Sequence, residues 1–214
     1  MFPFFTLLLF LAQWSLLDGC TGGTNGNRGG LQGLLGGNIG TGPLVTGQGG
    51  YINVPIDLRC YSFDGTCRWH NVGGDEMDWE RGTGRPAISP LNRYSGANVA
   101  PVEPFAALYA EGGRPASDRA WLVSDPVRCQ RGYGEVSFMF WVSSQARLRV
   151  CTRRQGTSLA LFCSQPVDLN DPGPAYVQIP ESLQPFEIYF EGTNLINREQ
   201  FILIDDIEYN AELC

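Results

Sequence analysis

From residue 55 to residue 214 apolar residues recur in period-two runs, and no stretch of about twelve residues carries the 3.6-residue apolar stripe of a helix. Val136, Phe138, Phe140 and Val142 form one such run. Ala146, Leu148 and Val150 form another, with Arg147 and Arg149 facing the other way, and Phe186, Ile188 and Phe190 stand against Glu187, Tyr189 and Glu191. Alternation of this kind sends one set of side chains into a core and the other toward solvent. Further strands are predicted over 105–110, 120–124, 159–163, 175–179 and 201–207. Turn-forming Gly and Pro separate them, 27 and 14 in the chain. Nine or ten short strands of this sort predict an all-β fold, a two-sheet antiparallel jelly-roll sandwich over residues 55–214. A parallel α/β fold is excluded, and helix is expected to be nearly absent.

Charge narrows the function classes. The 214 residues carry 15 basic side chains, all arginine, against 22 acidic ones, a formal net charge of −7. An acidic excess repels phosphate backbones, so nucleic acid is not an expected partner. His70 is the only histidine, which leaves few of the usual bases for proton transfer. It lacks a motif partner, so it is expected to be a surface or packed side chain. No G-x-S-x-G, H-E-x-x-H or P-loop pattern occurs.

Residues 1–20 read as a signal peptide: an almost unbroken apolar run from Phe2 to Leu17, ended by Asp18 and Gly19. The run is too short for a comfortable membrane crossing, and no later run reaches the ~18 apolar residues that a spanning helix needs. The chain is therefore expected to be secreted. Residues 21–54 read as a flexible Gly-rich linker, with 13 Gly between Thr21 and Gly50 and only sparse apolar residues such as Leu31, Leu34 and Leu35.

In an exported chain seven cysteines leave one thiol over. Loss of Cys20 with the leader leaves six. Cys60 and Cys67 enclose a short loop with Asp64 and Gly65, close enough in sequence to bridge across a turn. Cys151 and Cys163 flank a polar turn at Arg153 to Gly156 and suit a stapled hairpin, which leaves Cys129 with Cys214. Six cysteines nonetheless allow fifteen pairings.

Paired carboxylates occur twice, at Asp75, Glu76 and Asp78 and at Asp205 and Asp206. Such groups serve as glycosidase acid and base, as calcium ligands, or as solvated turn residues.

The ordered set Cys60-x6-Cys67-x-Trp69, Asp75-x-x-Asp78-Trp79, Ala120-x-Leu122-x-Ser124-x-Pro126, Phe186-x3-Phe190-Glu191-Gly192 and Ile204-Asp205-Asp206-Ile207, ending at Cys214, resembles the MAM domain. That is the extracellular module of meprins, neuropilin-type receptors and receptor tyrosine phosphatases. The resemblance covers roughly residues 58–214. It implies a jelly-roll sandwich, disulfides including a long-range bridge to the terminal Cys, and a role in adhesion or assembly at the cell surface or in the matrix, with no catalytic activity and no cofactor. Gly84 to Pro90 stands where the family has G-P-x-x-D-H-T. Cys129 stands farther ahead of Phe138 to Trp141 than the family's third Cys usually does, and Cys151 and Cys163 are extra, as expected of a divergent member.

The resemblance also implies a structural cation, calcium or sodium, with Asp64 and Asp205 or Asp206 as the matching carboxylates. Hydrogen bonding to backbone N–H groups is the alternative role for them. The chain is accordingly expected to be a secreted, non-catalytic interaction module whose partner is an extracellular protein, a matrix component or a second copy. The alternative is a glycan-binding jelly roll, with Trp69, Trp79, Trp121 and Trp141 as stacking residues. A hydrolase using Asp75, Glu76 or Asp78 trails both.

Overall fold

The computed structural model describes residues 30–44, 49–169 and 173–214. The expected signal peptide and Cys20 lie outside them. Eleven strands are present among the described residues: β1 (Asn38–Pro43), β2 (Trp69–Asn71), β3 (Glu80–Arg85), β4 (Phe105–Tyr109), β5 (Arg119–Ser124), β6 (Gln130–Val142), β7 (Arg147–Arg154), β8 (Ala160–Cys163), β9 (Ala175–Ile179), β10 (Phe186–Thr193) and β11 (Phe201–Leu213). They form two antiparallel sheets, a six-stranded one in the order β1-β3-β4-β11-β6-β9 and a five-stranded one in the order β2-β5-β10-β7-β8. The predicted all-β sandwich is the observed fold.

The alternating runs explain the main core. Phe138 and Phe140 from one sheet meet Phe186, Ile188 and Phe190 from the other, together with Leu148, Val150, Ile202 and Ile204. Phe138 meets Phe190 edge-on at 4.8 Å and Trp69 lies 5.2 Å from Phe190, within the range aromatic pairs prefer. Gly192 explains part of the family motif. A β-carbon there would lie 2.4 Å from Leu108 Cδ2, so only glycine fits between the sheets at that point.

Two expectations are corrected. Part of the stretch expected as a flexible linker over 21–54 is ordered: Leu31–Leu35 forms the short helix α1 and Asn38–Pro43 forms an edge strand paired with β3 along its whole length. Leu31, Leu35 and Ile39 are buried with Phe105, Ala107, Phe201 and Leu203 on the outer face of the six-stranded sheet. Three apolar side chains outweigh the entropic disadvantage of the surrounding glycines because a ready-made apolar sheet face receives them.

Helix is also present where little was expected. Helix α2 (Ile88–Ser95) begins at the end of the segment that departs from the family pattern, buries Leu91 and ends at Gly96 in the left-handed conformation. Its Pro90 sits in the first turn, where a missing N–H costs no helical bond. Both helices lie against the six-stranded sheet.

Three disulfides are formed, Cys60–Cys67, Cys129–Cys214 and Cys151–Cys163, with α-carbons 5.3, 5.5 and 4.0 Å apart. Among the described residues no helix is long and apolar enough to cross a membrane.

Candidate functional site

The outward face of the five-stranded sheet follows from the same alternation that fills the core. On β10, Phe186, Ile188 and Phe190 point between the sheets, so Glu187, Tyr189 and Glu191 point away. Strand register then chooses their neighbours. Thr193 stands between Arg119 of β5 and Arg147 of β7, Glu191 between Trp121 and Arg149, and Tyr189 between Val123 and Cys151, while Glu187 faces Arg153.

Most of these rows are tied across strands. Arg153 Nε donates to Glu187 Oε2 at 2.8 Å, Arg149 Nε and Nη2 each lie 2.6 Å from Glu191 Oε1, and Trp121 Nε1 donates to Glu191 Oε2 at 3.0 Å. The Arg153 guanidinium lies 5.4 Å from the Trp121 ring centre and 5.7 Å from that of Tyr189, and Arg119 lies 5.8 Å from Trp121. Such stacking suits the weakly hydrated, planar guanidinium. Burial pushes the Tyr189 hydroxyl above its ordinary range, and the Glu191 carboxylate adds to the rise. The network is graded from inside to outside: the Arg153 and Glu187 side chains are only 9% and 11% exposed, whereas Arg149 and Arg119 are 42% and 47% exposed. The polar set of β10, expected to face solvent, is thus largely covered by its own arginines.

The acidic cluster works as a clasp. Asp75 Oδ2 accepts from Trp121 N at 2.6 Å and Glu76 Oε2 from Arg119 N at 3.1 Å, which pins the loop before Trp79 to the start of β5. Burial raises Asp75 above the usual carboxylate range. Asp78 is exposed. His70 lies on β2 with Nδ1 3.8 Å from Asp125, a carboxylate already held by Arg68 at 2.7 Å.

Two of the candidate cation ligands, Asp64 and Asp205, accept hydrogen bonds from the protein itself. Asp64 is exposed and accepts from Thr66 N and Thr66 Oγ1, hydrogen bonds that hold its carboxyl below the usual range. Asp205 is buried; its two oxygens accept from Val102 N and Asp206 N, each at 2.9 Å, and burial pushes its carboxyl up to about 7. Asp206 occupies the left-handed region, φ 50°, where the register of β11 on β6 shifts, and burial raises it as well. Among the described residues no group of three or more His, Cys, Asp or Glu converges to hold a metal. Asp64 and Asp205 thus act as hydrogen-bond acceptors, the alternative role for them.

The four tryptophans proposed for sugar stacking are all 5% exposed or less. Trp69 Nε1 donates to Leu58 O and Trp141 Nε1 to Val99 O, each tying a loop to a sheet; Trp79 packs in the main core and Trp121 belongs to the arginine face. Sequence reasoning placed Arg147 and Arg149 off the core but missed their convergence with Glu191. The visible signal was the spacing of Arg147, Arg149 and Arg153 on one strand against Glu187 and Glu191 on another.

Several solved structures share the general shape. Tailspike protein 4 of bacteriophage CBA120 matches with 12% identity and a TM-score of 0.41, covering 68% of this chain, which spans 19% of that one. A carbohydrate-bound module solved with β-1,4-galactotriose gives 10% identity and a TM-score of 0.39 over 77% of this chain and 100% of the other. The K1 cleaved adhesin domain of Lys-gingipain from Porphyromonas gingivalis W83 gives 11% identity and a TM-score of 0.40, over 82% and 99%. These likenesses are too loose to bear on function. The family match is of another order: the MAM domain, meprin/A5/mu, aligns with residues 61–214, from the loop of the first disulfide to the terminal Cys214 of the second. On that match, which spans most of its length, the chain belongs to the MAM domain family.

Proposed function

We propose that this chain is a secreted, non-catalytic interaction module that binds an extracellular or matrix protein through the outward face of its five-stranded sheet. The observation that carries the reading is the Arg–Glu–aromatic network of β5, β7 and β10. Arginine is over-represented at the energetic centres of protein interfaces, and Arg119 and Arg149 are the half-exposed members of this network. Here they are preorganised by cross-strand bonds before any partner arrives, which lowers the ordering entropy of association. Three disulfides suit an oxidising, extracellular compartment. The MAM domain is itself an extracellular module.

The test is affinity capture from matrix and cell-surface extracts on the immobilised full chain, with mass spectrometry of what is retained. Arg149→Glu reverses charge at the exposed part of the network, and Arg131→Glu on β6 serves as the control. A protein retained by the wild type and the control but released by Arg149→Glu supports the face. Retention insensitive to Arg149, or retention of glycans alone, overturns it. Light scattering across a concentration series reports whether the partner is a second copy.

A further inference from the structure

One row of the outward face differs from the others. Thr193 lies in register with Arg119 on one side and Arg147 on the other, so a hydroxyl stands between two guanidinium stems whose α-carbons are about 10 Å apart. Arg149 follows Arg147 by two residues and points the same way, about 7 Å along the strand. The three arginines, with Ser117, Thr193 and Glu191, line a cleft of about 280 Å³.

The charges in this cleft do not cancel. Glu191 is already used by Arg149 and Trp121. Arg119 has only a loose pairing with Glu76, at 3.9 Å between two half-exposed side chains. Among the described residues no ion pair involves Arg147. Three guanidiniums therefore meet one carboxylate, in a chain whose net charge is −7.

We infer that this cleft is a recognition site for a carboxylate side chain presented by an acidic loop of the partner protein; the inference rests on the proposed interaction function. A carboxylate placed between Arg119 and Arg147 receives charge-assisted hydrogen bonds from both, with the Thr193 and Ser117 hydroxyls as further donors. The overall negative charge selects among anions. A long polyanion meets the repulsive field of the whole molecule, whereas one side chain feels mainly the local cations, because charges beyond about 8 Å are screened at physiological ionic strength.

The full folded chain is titrated with N-acetyl-glutamate amide, with its glutamine counterpart as a neutral isostere, and with a heparin octasaccharide, while the arginine Nε–H signals are followed by NMR. The expected result is a saturable shift of the Arg119 and Arg147 signals with the glutamate probe, none with the glutamine probe, and about tenfold weaker binding in Arg147→Gln. Arg131→Gln should match the wild type, and the melting temperature of Arg147→Gln should be unchanged because the side chain is exposed. Equal shifts with the glutamine probe, or unchanged affinity in Arg147→Gln, overturn the site. Tighter binding of the octasaccharide through the same arginines overturns the assignment to a protein carboxylate. If Arg147→Gln loses the glutamate probe but keeps the captured protein, the cleft does not read that partner and the interaction function stands. If the probe binds and no protein is captured at all, the interaction function fails while the carboxylate site stands.

Discussion

Asp205 carries a fold contact on a carboxyl that favours its neutral form. It caps Val102 N and Asp206 N from a buried position at the bulge of β11, and burial raises it from the ordinary 3.8 to about 7. Between about pH 4 and pH 7 the folded chain holds a proton that the unfolded chain has released. Stability therefore falls as pH rises through that window and levels off above it. Asp75 and Asp206, also raised by burial, act with the same sign. Asp205→Asn should flatten the slope, so that the stability difference between variant and wild type moves in the variant's favour by on the order of 3 kcal/mol from pH 4 to pH 8. Urea unfolding across that range measures it; parallel curves for the two proteins would show that Asp205 does not titrate there.

The least expected element is the first one. Strand β1 approaches β3 so closely that a β-carbon on Gly84, which sits at φ 77°, would lie 1.5 Å from Asn38 O. Glycine here allows backbone contact, and the entropy it loses is offset where Leu31, Leu35 and Ile39 reach the sheet. Leu35 is 0% exposed. Leu35→Ala should accordingly cost about 2 to 5 kcal/mol in denaturant unfolding. A tether would lose nothing, so an unchanged midpoint would return residues 30–43 to that role.

Across the molecule, β11 pairs with β4 at its start and with β6 along most of its length, up to Leu213 opposite Gln130. The Cys129–Cys214 bridge closes the end of that seam, joining residues 85 apart, where the other two bridges join residues 7 and 12 apart. Loop-closure entropy then ranks them: about 4.5 kcal/mol for the long bridge, about 2.9 for Cys151–Cys163 and about 2.5 for Cys60–Cys67. Chemical denaturation of paired Cys→Ser variants should reproduce that order. Peptide mapping without reduction should yield the three pairs, and a peptide joining Cys129 to Cys151 would contradict them.

Period-two alternation is a property of a few consecutive residues, so β6, β7 and β10 and the sandwich they imply were legible, as were the family's cysteines and motifs. Strands β1, β2 and β3 were not, because WHN is three residues long and NIGTGP and ERGTGR carry almost no apolar alternation; only their partners make them strands. The site divides the same way. That Arg147 and Arg149 leave the core follows from their own strand, but that Arg119, some 28 residues earlier, joins them around Thr193 depends on register across three strands. At Asp205, likewise, burial raises the carboxyl against a hydrogen bond from Val102 N, 103 residues earlier. Sequence by itself determined which faces the strands present. Tertiary structure decided which faces meet and which charges go uncompensated, because pairing partners and desolvation are set by residues far apart in the chain.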